Sequence, residues 1–408
     1  MRPIPTARAS ILSTVRRLPS ETVPFQEAVG RILTEPVVAP HDVPSFPNSA
    51  MDGFAVRAAD VSSPGAVLEI IEDVAAGQVA SASVVDGQAI KIMTGAPMPD
   101  GADTVVRVED TETEDGKVRI ATAPEKGTSV RPPGGDVVAG ATVFPAGTRL
   151  SAAHLGVLAT IGVVNPVVSR RPRVVVMSTG DELVPPETAE LGPGLIRDSN
   201  RPMLLSLVTD AGAETIDMGR IADDADSLRA ALGQAAVEGD VIVTSGGVSM
   251  GEFDVTKAVL RDDADVDFFP VAMKPGKPQG FGTVGGTPFF GLPGNPVSVL
   301  VSFEQFVRPA LLWMQGASAV LRPRVMGVAG EDLNSDPAKE EFVRVRFVDE
   351  GPPPRVAKSG GSGSHVLSGA ANADAFAVLP VDVDFVAEGD SVILELFRAV
   401  ENRAAEDV

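Results

Sequence analysis

From Arg173 to Phe303 the chain alternates short apolar runs with helical stretches, and few folds accommodate that alternation. VVVM at 174–177, AETIDMG and VIV at 241–243 read as strands, while residues 201–212 and SLRAALGQAAVEG read as helices. Strands joined by helices of this length make a doubly wound, mostly parallel sheet, whose ligands sit beyond the strand carboxyl ends. Three punctuated turns fall at such ends. In TSGGVSMGEFD, Gly246 and Gly247 permit a sharp turn after a buried strand, and a helix is expected to begin near Phe253. A strand, glycine turn and helix start present N–H groups and a positive dipole end to an anion, which marks Ser245, Gly246 and Gly247 as contacts. Glu252 and Asp254 lie in the same turn, and acids beside an anion site make sense with a hard cation between them. In AMKPGKPQGFG, Lys274 and Lys277 flank a bend stiffened by two prolines, where two ammonium groups hold an anion of charge two or more. In FFGLPGNPVSV, Asn295 is suited to an N-cap and Pro296 to a first helical residue.

Taken singly, each turn has an ordinary explanation: a structural GG bend, a solvated KPGK loop, a plain Asn-Pro cap. Their coincidence along one edge of a doubly wound sheet favours a shared site. STGDEL ends another strand and turns Asp181 and Glu182 to the same edge. Asp223 and Asp224 also follow a strand, where the plain alternative is a favourable charge at a helix N-terminus.

The motifs TSGGVSMGEFD, MKPGKP and GLPGNPVS, in this order, resemble the molybdopterin molybdenumtransferases, a family that includes the gephyrin E-type domains. The resemblance implies insertion of molybdate into adenylylated molybdopterin with release of AMP. It implies Mg²⁺ held by Asp254, Glu182 and Asp223, with Lys274, Lys277 and Arg131 balancing the remaining charge and the molybdate. It also brings in Asp52 from SAMDG, Thr94 and Gly95 from MTGAPMP, Arg131 and Asp136 from VRPPGGD, and Pro293, Asn295 and Pro296 from LPGNP. SGGSGSHVLSG is a flexible turn on composition alone; the resemblance adds Ser362 and Ser364 as contacts. Two positions depart from the pattern: Phe54, where relatives often carry Tyr, and Pro270, where many carry a basic residue.

Thirty-four basic against 55 acidic residues give a net charge of −21, a field that opposes nucleic acid and anionic membranes. The chain has no cysteine, which excludes disulfides, thiolate nucleophiles and iron–sulfur ligation, and its three histidines, His41, His154 and His365, lack metal-ligand spacing. A metal would therefore be oxygen-ligated. The first 20 residues contain no apolar run long enough for a signal sequence, so a cytoplasmic protein is expected.

The expected organisation is an α/β multidomain chain of 408 residues. Residues 1–40 with 139–168 form an elongated dimerisation domain, 41–138 an inserted β-rich domain, 169–318 the α/β domain, 319–400 a β-barrel-like domain and 401–408 a tail. The discontinuity comes from the resemblance. Helical spacing is read over 6–18 and 25–33, segments too thin to form a core alone, which points to packing elsewhere on the chain or to a homodimer. EEFVRVRF places Arg344 and Arg346 on one strand face, adding positive charge. Transient partners would be the adenylyltransferase and cofactor-receiving enzymes. The rival readings are a molybdopterin adenylyltransferase, whose catalytic segment shares the SGG turn, and a gephyrin-like scaffold without catalysis.

Overall fold

The computed structural model describes residues 1–247, 255–349 and 351–397. Its centre is a three-layer α/β unit. The strands are β1 (Arg173–Thr179), β2 (Glu214–Ile221), β3 (Val241–Ser245), β4 (Asp265–Pro270), β5 (Pro278–Val284) and β6 (Thr287–Leu292). The helices are α1 (Asn200–Asp210), α2 (Ala225–Glu238), α3 (Val255–Asp263) and α4 (Pro296–Met314). Across the sheet the order is β2-β1-β3-β6-β5-β4. β1 pairs in parallel with β2 and β3, and β3 with β6, while β5 runs antiparallel to both neighbours. The carboxyl ends of β2, β1, β3, β6 and β4 consequently share one edge. β1 and β3 read as unbroken apolar runs because helices cover both faces: Val174 to Met177 and Val241 to Val243 have no exposed surface.

Helix α4 is apolar and long enough to cross a membrane, but 94% of that stretch is buried inside the protein, which makes it a core helix. A π-helical turn at Phe303–Val307 interrupts it and places Glu304 and Gln305 in the interior.

At the N-terminus, Ile4–Thr14 is helical and buries Ile4, Ala7 and Ile11 in the same core as α4, with Arg8 bonded to the Gln305 side chain at 2.6 Å. This helix therefore finds its partner on its own central unit, and its thinness is no argument for a dimer. The helix expected over 25–33 is not formed. A single 3-10 turn at Phe25–Glu27 gives way to extended chain, because Gly30 adopts φ +78° and the N–H groups of Gly30 and Leu33 donate to Leu150 and Thr148 rather than up a helix. That extended chain joins Val167–Ser169 and the helix Ala152–Thr160 around Leu33, Leu150, Leu158 and Ile161.

The segment between carries a six-stranded sheet built from Gly53–Val56, Val67–Val74, Gln88–Ile92, Thr104–Arg107, Thr111–Glu114 and Lys117–Ile120. Beyond α4, the strands Arg324–Ala329, Glu340–Asp349, Arg355–Lys358, Ala375–Leu379 and Ser391–Leu396 close into a barrel. Closure follows because Glu340–Asp349 pairs with both Arg355–Lys358 and Ala375–Leu379. The short strand Met273–Lys274 pairs in parallel with Glu340 and Glu341, fastening the barrel to the central unit.

Candidate functional site

Along the carboxyl edge of the central sheet lie, in spatial order, Asp223 after β2, Asp181 and Glu182 after β1, Ser245 to Gly247 after β3, Pro293 to Asn295 after β6, and Lys274 to Lys277 after β4. The SGG turn is tied down so closely that only glycine fits. Gly246 has φ +95° and a Cβ there would stand 2.8 Å from the Thr179 carbonyl oxygen; Gly247 has φ +70° and a Cβ would stand 2.4 Å from Thr256 Oγ1. The expected anion contact through the Gly246 N–H is not available, since that group donates to the Leu292 carbonyl at 3.1 Å.

At the acidic end, the Asp181 N–H donates to Asp223 Oδ2 at 3.2 Å, and Arg220 donates to Asp181 Oδ1 at 3.0 Å and to the Gly180 carbonyl at 3.2 Å. Asp223 and the exposed Glu182 thus sit on adjacent strand ends held in a fixed relation. Asp224 is the N-cap of α2, accepting from the Ser227 N–H at 2.9 Å, and Ser227 holds its carboxyl below the ordinary range. For Asp224 the plain helix-charge reading is the correct one. Asp254 and Glu252, with the expected helix start at Phe253, lie outside the described residues; among those described, no group of three or more His, Asp or Glu side chains is gathered as a metal site. Two carboxylates on neighbouring strand ends nonetheless suit Mg²⁺, which commonly takes one or two protein carboxylates and fills its octahedron with water and phosphate oxygens.

Sequence reasoning missed the segment that locks this edge together. Asp198 is buried, accepts from Ser178 Oγ at 2.6 Å on β1 and from the Arg201 backbone N–H at 3.1 Å. Asn200 donates through Nδ2 to Ser245 Oγ and to the Gly294 carbonyl, both at 2.7 Å. Because a carbonyl only accepts, the amide orientation is fixed and Oδ1 faces the other way, buried and without a hydrogen-bond partner. The turn Asp198-Ser199-Asn200 therefore bolts the ends of β1, β3 and β6 together. Its signal was present in RDSNRP, a run of capping residues just ahead of a helical stretch.

At the basic end a cleft of about 460 Å³ opens between the central unit and the barrel, lined by Lys274, Lys277, Asn295, Arg344, Ser362 and Ser364 among others. Asn295 occupies the N-cap position of α4 but does not cap it; its Nδ2 donates to Ser364 Oγ at 2.8 Å, and the Val297 N–H donates to the Ser364 carbonyl at 3.0 Å. The barrel loop supplies the cap instead. Arg344 does not add free positive charge to the strand face. Its buried guanidinium, with a pKa lowered by burial, donates to the carbonyls of Gly361, Gly363 and Val366. In trans peptides C=O and N–H are antiparallel, so the N–H groups of Ser362 and Ser364 point away from Arg344. Lys274 forms an ion pair with Glu341 at 3.0 Å, whereas Lys277 has no ion pair among the described residues.

The small β domain holds a separate cluster. Asp52 accepts from both the N–H and the hydroxyl of Thr94 at 2.7 Å each, and these bonds, the backbone one foremost, pull its carboxyl below the ordinary range. Gly95, at φ +82°, donates to the Ser49 carbonyl at 2.8 Å, and Arg131 is paired in register with Asn48. Arg131 and Asp136 are exposed, Asp136 lying farther along beside Val43. Phe54 is fully buried, so a ring without a hydroxyl suits its place. Among the described residues no hydrogen bond or ion pair runs from 44–137 to the central sheet or barrel.

Comparison with known proteins covers nearly the whole chain. Residues 2–162 match the MoeA N-terminal region (domain I and II), 175–313 a probable molybdopterin binding domain and 326–397 the MoeA C-terminal region (domain IV). The chain is 40% identical over 399 residues to molybdopterin molybdenumtransferase 2 of Mycobacterium tuberculosis, covering 95% of this chain and 98% of the relative. It is 38% identical over 411 residues to the molybdopterin molybdenumtransferase of a Nostoc species, covering 96% and 94%. The crystal structure of the molybdopterin biosynthesis moeA protein of Pyrococcus horikoshii OT3 superposes with a TM-score of 0.85 at 31% identity, covering 97% of this chain and all of that one.

Proposed function

The chain belongs to the molybdopterin molybdenumtransferase (MoeA) family, and from that premise we propose that it inserts molybdate into adenylylated molybdopterin and releases AMP. It is an enzyme of molybdenum cofactor biosynthesis. The observation that carries the finer reading is the division of one sheet edge into an acidic and a basic end. β1, which leads into Glu182, and β4, which precedes Lys274, stand four positions apart in the sheet, roughly 19 Å at the usual strand spacing. Groups that follow strands so far apart suit two separated charges of one long ligand.

On this reading the pyrophosphate lies at the acidic end, over the SGG turn, with Glu182 and Asp223 as the described residues that would hold Mg²⁺. There the ion would supply charge neutralisation of phosphate oxygens. Molybdate lies in the cleft, where Lys274 and Lys277 balance its two negative charges and the N–H groups of Ser362 and Ser364 add donors. Asn200 and Asp198 keep the strand ends in register so that both ends of the substrate are held at once. Rate gain comes from position and fixed charge, with no protein nucleophile required. The small-domain cluster of Asp52, Thr94, Gly95 and Arg131 would serve the cleft of a second copy, since within one chain it stands apart. This supports a homodimer; on the same reading the protein acts in the cytoplasm, taking adenylylated molybdopterin from the adenylyltransferase and giving cofactor to the receiving enzymes through transient contacts.

The test is to mix the protein with adenylylated molybdopterin, molybdate and Mg²⁺ and to follow AMP by chromatography. AMP release that depends on both molybdate and Mg²⁺ is expected. Pyrophosphate formation from ATP and molybdopterin, without AMP release from the adenylylated substrate, would instead make it the adenylyltransferase.

A further inference from the structure

Lys274 is already occupied. Its ammonium lies 3.0 Å from Glu341 Oε1 and 3.2 Å from Oε2, on a carboxylate that projects from the barrel into the same cleft. The two partners are unequal. The Lys274 side chain is 48% exposed and free to swing at its tip, whereas that of Glu341 is 11% exposed, accepts from the Asp336 N–H at 3.3 Å and sits on a strand in register with Lys274 itself. Lys358, which also lines the cleft, is held by the Asp332 carbonyl at 2.6 Å, and Lys277 alone of the three lysines lacks an ion pair among the described residues.

We propose that Glu341 is a built-in counter-anion that an incoming oxoanion must displace from Lys274, and that it thereby sets how tightly the cleft holds molybdate. This rests on the reading that Lys274 and Lys277 take molybdate. An arriving dianion engages Lys277 unopposed but competes with Glu341 for Lys274, and a fixed carboxylate in the same cleft repels it. When the oxoanion leaves, Glu341 takes Lys274 back. The barrel thus disfavours idle retention of an anion in the cleft, which a pair of unopposed lysines would promote.

The experiment is calorimetric titration of the full chain with sodium molybdate, comparing wild type, Glu341→Gln, Glu341→Asp, Lys274→Gln and the double variant Lys274→Gln/Glu341→Gln. Glu341→Gln removes the charge and keeps the shape, and should bind about two- to fivefold more tightly, the scale of one partly exposed charge pair. That gain should vanish in the Lys274→Gln background, which identifies the lysine as the route. In turnover, the KM for molybdate should fall in Glu341→Gln while kcat does not rise. Unchanged or weaker binding with an unchanged melting transition overturns the proposal. Should Glu341→Gln disturb the barrel, Glu341→Asp decides: its carboxylate is drawn back by one methylene, so it must bind molybdate more tightly than wild type, and equal or weaker binding overturns the proposal equally. Failure of every protein, wild type included, to bind molybdate would remove the cleft assignment itself; binding by wild type with no change in the Glu341 variants removes only the counter-anion role.

Discussion

Replacing Asn200 by aspartate should damage the protein more than replacing it by alanine, although aspartate is the closer match in shape. The wild-type amide donates two bonds of 2.7 Å, to Ser245 Oγ and to the Gly294 carbonyl, and leaves Oδ1 buried without a partner. Two neutral hydrogen bonds contribute about 2 kcal/mol together, while the unpaired Oδ1 costs about 1 kcal/mol or more, so Asn200→Ala should lose only about 1 kcal/mol. Asn200→Asp retains the Ser245 contact but turns a carboxylate oxygen onto the Gly294 carbonyl. An uncompensated charge in that position should cost about 3 kcal/mol or more. The same contact raises the new carboxyl's pKa in the folded state. Its penalty is therefore full above that raised pKa and fades as pH falls through it, when the protonated acid can donate to Gly294. Trp313, the single tryptophan, lies in α4 of the same unit and reports urea unfolding. Midpoints for the two variants at neutral and mildly acidic pH decide the matter. Equal stability of Asn200→Asp and Asn200→Ala at neutral pH, or no recovery of the former in acid, would refute the assigned amide orientation and the role of the Gly294 bond.

Gly247→Ala should destabilise the central unit by about 2–5 kcal/mol, combining a left-handed backbone with overlap against a buried neighbour; a Cβ would stand 2.4 Å from Thr256 Oγ1 at φ +70°. Urea unfolding followed at Trp313 measures this, and a wild-type midpoint would show that the turn can open. Thr94→Val removes one of the two donors that hold the Asp52 carboxyl low, leaving the backbone N–H in place. A depressed carboxylate contributes stability that is present above its unfolded-state pKa and is lost as pH falls through the folded value. The variant should accordingly titrate Asp52 at higher pH than wild type, though still below an ordinary aspartate, as read from the carboxyl carbon by NMR. An unmoved titration would mean that the Thr94 hydroxyl does not bond to Asp52 in solution.

The alternation of apolar runs and helical stretches was sufficient to read the central sheet, because strands buried on both faces must be continuously apolar, and because β1, β3 and β6 each end in turn residues with distinct backbone needs. The barrel was expected as a β-barrel-like domain over 319–400, whereas the particular closure, with Glu340–Asp349 paired to two partners, joins residues distant in sequence and is set by the tertiary structure. The helix expected over 25–33 failed where tertiary hydrogen bonds from Gly30 and Leu33 to Leu150 and Thr148 outweighed a local periodicity. At the site, the glycines and lysines announced themselves through turn chemistry. Asn200 showed only as one capping residue in RDSNRP, because nothing local distinguishes a helix-starting Asn from one that bridges two strand ends.

Sequence alone determined which residues can carry charge or turn sharply at the strand ends, for those are properties of a residue and its immediate neighbours. Only the tertiary structure decided what each charge faces. It placed Glu341 against Lys274 across a domain boundary, the Arg344 guanidinium against three carbonyls in the cleft wall, and Asp52 against Thr94 in a domain apart from the lysines. The physical reason is that the effect of a charge depends on its partner and its burial, and chain folding fixes both across separations of many residues.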